Sequence, residues 1–310
     1  MRTYHECLPC FVRQALGLLR RAGAPDERVN DAMRAVFREL AGMDFGAPPP
    51  LTGRRVYRAL RECGVMTGDP YAADKKRFNE FALRVVPEMQ RRLGERGDTL
   101  GARIALAIAA NIIDLGKSDS LTEQEARRYL DRALDTPLDP DAVRRFGDAV
   151  GDAHSVLFLC DNAGEIVFDR LLVEALPCRR VTCAVRGVPV INDATLDDTR
   201  AAGLAGIAEV ISSGSDLAGT VLEECSPEFR RVFDDADVVI AKGQGNFETL
   251  SDVRHKRIFF LLQVKCPVIA RDIGLPVGTP AIVDTGPADT GGHGRERDTA
   301  HRIVEHSVKE

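Results

Sequence analysis

The chain has 310 residues, 44% hydrophobic and 29% charged, with a formal net charge of −5, 5% aromatic residues and no Trp. Such a composition supports folded cores and excludes wholesale disorder, and the acidic balance with few aromatic rings argues against a dedicated nucleic-acid binder. No apolar run reaches the length of a membrane span, and the opening Met1-Arg2-Thr3-Tyr4-His5-Glu6 lacks the apolar stretch of a secretory signal, so a cytoplasmic protein without a membrane partner is expected.

From residue 1 to about residue 150 the apolar spacing is mainly helical, as in Phe11-Val12, Ala15-Leu16, Leu18-Leu19 and again in Val29, Met33, Val36-Phe37 and Leu40. Cys7-Leu8-Pro9-Cys10 is half of a zinc site by spacing, with no second pair to complete it, and no strand precedes it as a redox motif would require. Structural packing is the preferred reading of Cys7 and Cys10, an accessory metal or thiol role the alternative. Cys63, Cys160, Cys178, Cys183, Cys225 and Cys266 sit mostly in apolar contexts and read as reduced core residues. Loops are expected at Gly46–Pro50 and Gly68–Pro70. Asn111 and Asp114 read as a polar helix edge, and Thr122 with Glu125 as a helix-opening capping box.

Beyond residue 150 the texture changes to short β-rich runs between helical stretches: Val156–Cys160, Val181–Val185, Glu209–Ser212, Val238–Ala241, Ile258–Val264 and Val268–Ala270. That alternation predicts an α/β fold, a Rossmann-like and mostly parallel sheet with helices on both faces, joined to an all-helical N-terminal domain. The expected division is residues 1–150, residues 151–284 and a tail at 285–310 whose composition predicts mobility.

Three of these strands end on residues able to do chemistry. The run Ser155–Cys160 stops on Asp161 and Asn162, hard oxygen donors of the kind that Mg²⁺, Mn²⁺ or Ca²⁺ prefers, and Glu165 then opens a helix. Glu165 can orient water or simply favour the helix N-terminus. Arg186 follows the second strand and can meet an anionic substrate or remain a surface arginine. Asp193 lies one βαβ step beyond Asp161, so adjacent strands can bring the two carboxylates together. Lys242-Gly243-Gln244-Gly245 follows another strand, offering a fixed cation and glycines that let backbone N–H groups approach phosphate, without the spacing of a Walker A loop. Each segment alone is better explained by helix capping. Together they supply what phosphate-ester hydrolysis needs: a cation site, a positive charge and backbone donors.

Asp161-Asn162-Ala163-Gly164-Glu165, Asn192-Asp193-Ala194-Thr195 and Lys242-Gly243-Gln244-Gly245-Asn246-Phe247-Glu248 resemble the metal-dependent damage-control phosphatases. Asp69-Pro70-Tyr71, Phe78-Asn79-Glu80, Ala110-Asn111-Ile112-Ile113-Asp114 and Lys265-Cys266-Pro267-Val268-Ile269-Ala270 extend the likeness, the last resembling the family's final strand. The resemblance implies a helical domain joined to a Rossmann-like domain, with Asp161, Asn162 and Asp193 holding a divalent metal (Mn²⁺, Mg²⁺, Co²⁺ or Ni²⁺). It also implies Lys242 contacting the phosphate of a small phosphorylated metabolite, with Asn111 as a further site residue. The Cys7–Cys10 pair is similar to one carried by the family's microbial branch. Two alternatives stand beside hydrolysis: an S-adenosylmethionine-dependent carboxyl methyltransferase, and a non-catalytic sensor of a phosphorylated metabolite.

Overall fold

The structure is a computed structural model, described here for residues 1–66, 68–111 and 122–287. Asp114 and the tail beyond residue 287 therefore lie outside the described residues.

The helical half comprises α1 (Leu8–Arg21), α2 (Asp26–Ala41), α3 (Pro49–Glu62), α4 (Ala72–Glu95), α5 (Leu100–Ala110), α6 (Glu123–Ala133) and α7 (Pro140–Asp152). In α1 the buried residues Phe11, Ala15, Leu18 and Leu19 recur at helical spacing, so one stripe faces the core. Two prolines start α3, where a missing N–H costs nothing. The expected capping box opens α6, with Thr122 Oγ1 accepting from the Glu125 amide at 3.2 Å and the Glu125 carboxylate accepting from the Thr122 amide at 2.9 Å.

After α7 come β1 (Ser155–Leu159), α8 (Glu165–Val173), β2 (Arg180–Val185), α9 (Leu196–Ala201), β3 (Glu209–Ser212), α10 (Pro227–Asp235), β4 (Val238–Lys242), α11 (Gly243–Leu250), β5 (Ile258–Gln263), α12 (Pro267–Ile273) and β6 (Pro280–Asp284). The sheet runs β3-β2-β1-β4-β5-β6. Its first five strands are parallel, and β6 is antiparallel to β5. This is the doubly wound order, which reverses direction between β1 and β4.

Alternation along the strands divides the core in two. Val156, Phe158, Val238, Ile240, Phe259 and Leu261 join the helical half and α8 in one apolar cluster. Leu157, Leu159, Val239, Ala241, Phe260 and Leu262 face the opposite side and pack with Phe229, Phe233, Phe247 and Ile269 of α10, α11 and α12. The N-terminal helices thus supply one of the sheet's two covers, and buried strands on both sides read as continuous apolar runs.

One expected strand is corrected. Val268–Ala270 belongs to α12, which Pro267 opens at its first position, and the last strand is instead β6. A three-residue apolar run has no period that separates strand from helix, and Pro at a helix start was the deciding signal.

Candidate active site

The strand order sets β1 between β2 and β4, so the loops leaving their carboxyl ends are neighbours at the point where the sheet reverses. The β1 and β2 loops are stitched together by backbone hydrogen bonds. The Ala163 amide donates to the Asn192 carbonyl at 2.9 Å and the Ala194 amide to the Asp161 carbonyl at 2.7 Å. Asn162 and Asp193 form an isolated bridge. Between these loops and the helical half lies a cavity of about 460 Å³, its wall including Asp161, Asn162, Asn192, Asp193 and Lys265 on one side and Gln14, Arg54 and Tyr57 on the other. Ile191 on this wall holds φ at +47°, a costly conformation for a β-branched residue, immediately before Asn192 and Asp193.

Burial first, then the charges of Glu165 and Asp193, push the Asp161 carboxyl well above the usual range, against the pull of Lys265 and Arg186. Its Oδ2 accepts from the amide nitrogens of Asn111 and Asn162, each at 2.8 Å. The Asn162 amide oxygen accepts from Asn192 at 2.7 Å. Gly243, at φ +77°, stands so close that a Cβ there would sit 1.9 Å from Asp161 Oδ2, so this position is kept clear for the carboxylate.

Below the wall is a layer of charge closed to solvent. Lys242 is fully buried, and its ammonium donates to Glu165 Oε1 at 2.5 Å, Asp169 Oδ1 at 2.6 Å and the Ala107 carbonyl at 2.9 Å. Burial opposes its charge, but the Asp169 and Glu165 carboxylates outweigh that and hold it above the usual lysine range. Burial raises Asp169 to about 7, although Lys242 pulls the other way. Arg186 is 3% exposed and donates to Asp193 Oδ2 at 2.6 Å and to the Gly219 carbonyl at 2.8 Å.

The sequence-based assignments therefore separate by depth. Asp161, Asn162, Asp193 and Gly245 line the cavity. Lys242, expected to contact phosphate, Glu165, expected to orient water or favour the helix N-terminus, and Arg186, expected to meet an anion or stay at the surface, are instead buried and do not line it. All three ammonium hydrogens of Lys242 are engaged, the Glu165 oxygens accept from Lys242, Asn111 and Asn162, and the Arg186 guanidinium is tied to Asp193. Gly243 is buried against Asp161. Asn111 is buried below the wall, joining Asp161 to Glu165. Cys7 and Cys10 lie on the cavity wall together with Cys266, and burial pushes the Cys7 thiol up. Among the described residues no three His, Cys, Asp or Glu side chains form a metal-binding group by themselves. A cation beside Asp161 and Asp193 would draw on amide oxygens as well.

A model of the damage-control phosphatase ARMT1-like domain matches residues 3–280. The chain belongs to the damage-control phosphatase family. It is 33% identical over 282 residues to a damage-control phosphatase of Pyrococcus horikoshii, covering 90% of this chain and 96% of that one. It is 38% identical over 229 residues to one of Archaeoglobus fulgidus, covering 73% and 77%. The crystal structure of a DUF89 family protein from P. horikoshii superposes with a TM-score of 0.83 at 32% identity, over 92% of this chain and 99% of that one.

Within this family member, three contributors to the site were missed in the sequence. Asp169 lies one helical turn after Glu165, a spacing that places both carboxylates on one face of α8, and that signal was available. Lys265 lines the cavity and donates to the Asn111 carbonyl at 3.0 Å, where its sequence context points only to a strand. Asn79, from α4, accepts from the Gly164 amide at 2.6 Å and donates to Asp198 at 2.9 Å, clamping the β1 loop to the helical half. Phe78-Asn79-Glu80 carries part of the family likeness, but the partners of Asn79 lie 85 and 119 residues away, so its role is not a local one.

Proposed function

We propose that this chain is a phosphatase acting on phosphate monoesters of small metabolites, with a divalent cation held by Asp161, Asn162 and Asp193. The observation that carries the reading is the Asp161 carboxylate on a cavity wall, where burial first, and then crowding by Glu165 and Asp193, disfavour its negative charge. A bound cation would relieve that crowding. Hard oxygen donors, the space reserved by Gly243, and a buried Asn111 amide oxygen without a partner among the described residues all fit such an ion. Mn²⁺, Mg²⁺, Co²⁺ or Ni²⁺ would offset phosphoryl charge and make bound water more acidic.

The protein's own groups have distinct tasks in this scheme. Lys265, on the wall within electrostatic reach of Asp161, meets the phosphate, the task first given to Lys242. Lys242 fixes Glu165 and Asp169 from beneath, and Glu165 in turn orients the amides of Asn111 and Asn162. Arg186 aims Asp193. The names of the Pyrococcus and Archaeoglobus relatives support the same activity. A methyltransferase has less support, because the end of β2, where a nucleoside site keeps an acidic group for ribose hydroxyls, carries Arg186. No helix among the described residues is long and apolar enough to cross a membrane.

The test is phosphate release from p-nitrophenyl phosphate and a panel of sugar phosphates, using chelated protein and each divalent metal in turn. Metal-restored turnover that Asp161→Ala lowers by roughly 10²–10³-fold is expected, the scale of losing one preorganised electrostatic contact. Full activity in that variant would refute the assignment.

A further inference from the structure

The helical half reaches both acidic loops through one face of α4. Lys75 and Asn79 lie one turn apart on that face, both buried, and α4 packs against α8 and α9, the helices that the two loops lead into. The Asn79 amide oxygen accepts from the Gly164 amide at 2.6 Å, three residues after Asp161. Its amide nitrogen donates to Asp198 Oδ1 at 2.9 Å. The other oxygen of Asp198 accepts from the amide of Thr195 at 2.9 Å and from its hydroxyl at 2.7 Å, two residues after Asp193. Lys75 approaches the same oxygen at 2.9 Å.

The chemistry of these contacts is specific to an amide. The Gly164 N–H requires an acceptor and the Asp198 carboxylate a donor, so a hydrocarbon at position 79 serves neither and a carboxylate only the first. Asp198 is buried, with its charge answered by Lys75 and by three further donors, which makes it a fixed point for Asn79 to hold. The backbone bonds from Ala163 and Ala194 already join the two loops at residues 161–163 and 192–194. Asn79 and Asp198 join the ends that follow, at Gly164 and Thr195. Two segments tied at both places hold Asp161 and Asp193 at one separation.

We propose that Asn79 is a positioning residue for the cation site, holding the loop of Asp161 and Asn162 at a fixed distance from the loop of Asp193. Without this bridge each loop keeps its strand and its helix, but the oxygen donors must be gathered by the cation itself, and the cost of ordering them lowers its affinity. Side chains that orient ligands without touching a metal act in this way. The helical half then sets how tightly the cation is held although α4 supplies no ligand. The inference rests on the cation site of the phosphatase reading, and it adds what tunes that site.

The test is calorimetric titration of Mn²⁺ into the chelated full chain, with folding checked by circular dichroism and phosphate release followed alongside. Wild type is compared with Asn79→Leu, which keeps the bulk without the polar atoms, with the milder Asn79→Ser, and with Thr122→Ala. The last removes the α6 cap and loosens the fold without touching either loop. Wild type is expected to bind Mn²⁺, the Asn79 variants to bind it at least roughly tenfold more weakly, and Thr122→Ala to stay within about twofold of wild type. Wild-type affinity in the folded Asn79 variants, or an equal loss in Thr122→Ala, would overturn the positioning role while metal-dependent turnover left the phosphatase standing. Failure of both Asn79 variants to fold would assign the amide to structure and overturn it equally. Mn²⁺ binding that Asn79→Leu weakens, with no phosphate released from any ester, would refute the phosphatase and leave the positioning role in place, whereas no Mn²⁺ binding by wild type would overturn both.

Discussion

The wall of the cavity and the layer just beneath it carry the same kinds of residue and do opposite things. On the wall, Asp161 and Lys265 border open space, and Asp161 is left with its charge disfavoured. Beneath it, Lys242, Glu165 and Asp169 close on one another with no exposure, and Lys242 answers both carboxylates, although burial still raises Asp169 to about 7. Burial of a charge is tolerated only when a partner answers it, so the lower layer is structure, and the under-compensated wall is where a ligand gains most. The comparison teaches that a charged residue beside a glycine-rich turn is not thereby a ligand-binding residue. Its depth decides.

The largest effect is expected where that division is broken from below. Lys242→Met leaves Glu165 and Asp169 buried without their cation and should lower the unfolding free energy in urea by about 3–5 kcal/mol. A variant of full stability that lost only phosphate affinity would move Lys242 back to the wall. Next is Gly243→Ala, whose new Cβ must displace the Asp161 carboxylate from a backbone already at φ +77°. Activity in the phosphate-release assay should fall at least tenfold, with roughly 1–3 kcal/mol of destabilisation. Retained activity would mean that Asp161 does not need its present position.

A smaller effect sharpens the same contrast at Glu248, which lines the cavity. Burial pushes its carboxyl from 4.5 up to about 7, with the Gln244 amide and the N-terminal ammonium opposing. The folded protein then holds a proton that the unfolded chain releases between pH 4.5 and about 7, so stability falls as pH rises through that window. Glu248→Gln should flatten this slope in urea titrations and gain about 1 kcal/mol above pH 7, discounted for partial solvent contact. An unchanged slope would place the titration elsewhere. The smallest effect belongs to Cys7 and Cys10: the double serine variant should change stability by no more than about 0.5 kcal/mol, with turnover and metal content retained. Loss of bound metal on analysis would restore the accessory-site reading.

Much of the architecture was legible because periodicity is local. The runs that became β1 to β5 were each recognised to within a residue at either end, since buried parallel strands are short, continuous and apolar. The antiparallel β6 was missed: it begins with Pro280, borders the sheet and is mostly half-buried, so it lacks that signature. The loops bearing Asp161, Asp193 and Lys242 were legible because each ends a strand with a polar or charged side chain. The parts played by Asn79 and Lys265 were not: both sit in segments that carry the family likeness, yet their partners lie on other elements.

Taken alone, the sequence determined the helical half, the α/β half, and the three segments from which the site is built. Each of these depends on patterns within ten or so residues: hydrophobic period, turn chemistry, and oxygen or nitrogen ligands at a strand's end. The tertiary structure decided the strand order that sets β1 between β2 and β4, the clamp of Asn79 on the β1 loop, and the exchange of Lys265 for Lys242 at the cavity wall. Those outcomes turn on how deeply a side chain lies and on what faces it from a distant part of the chain. Burial and long-range pairing are properties of packing, and they fix whether a charge is satisfied within the protein or left for a ligand.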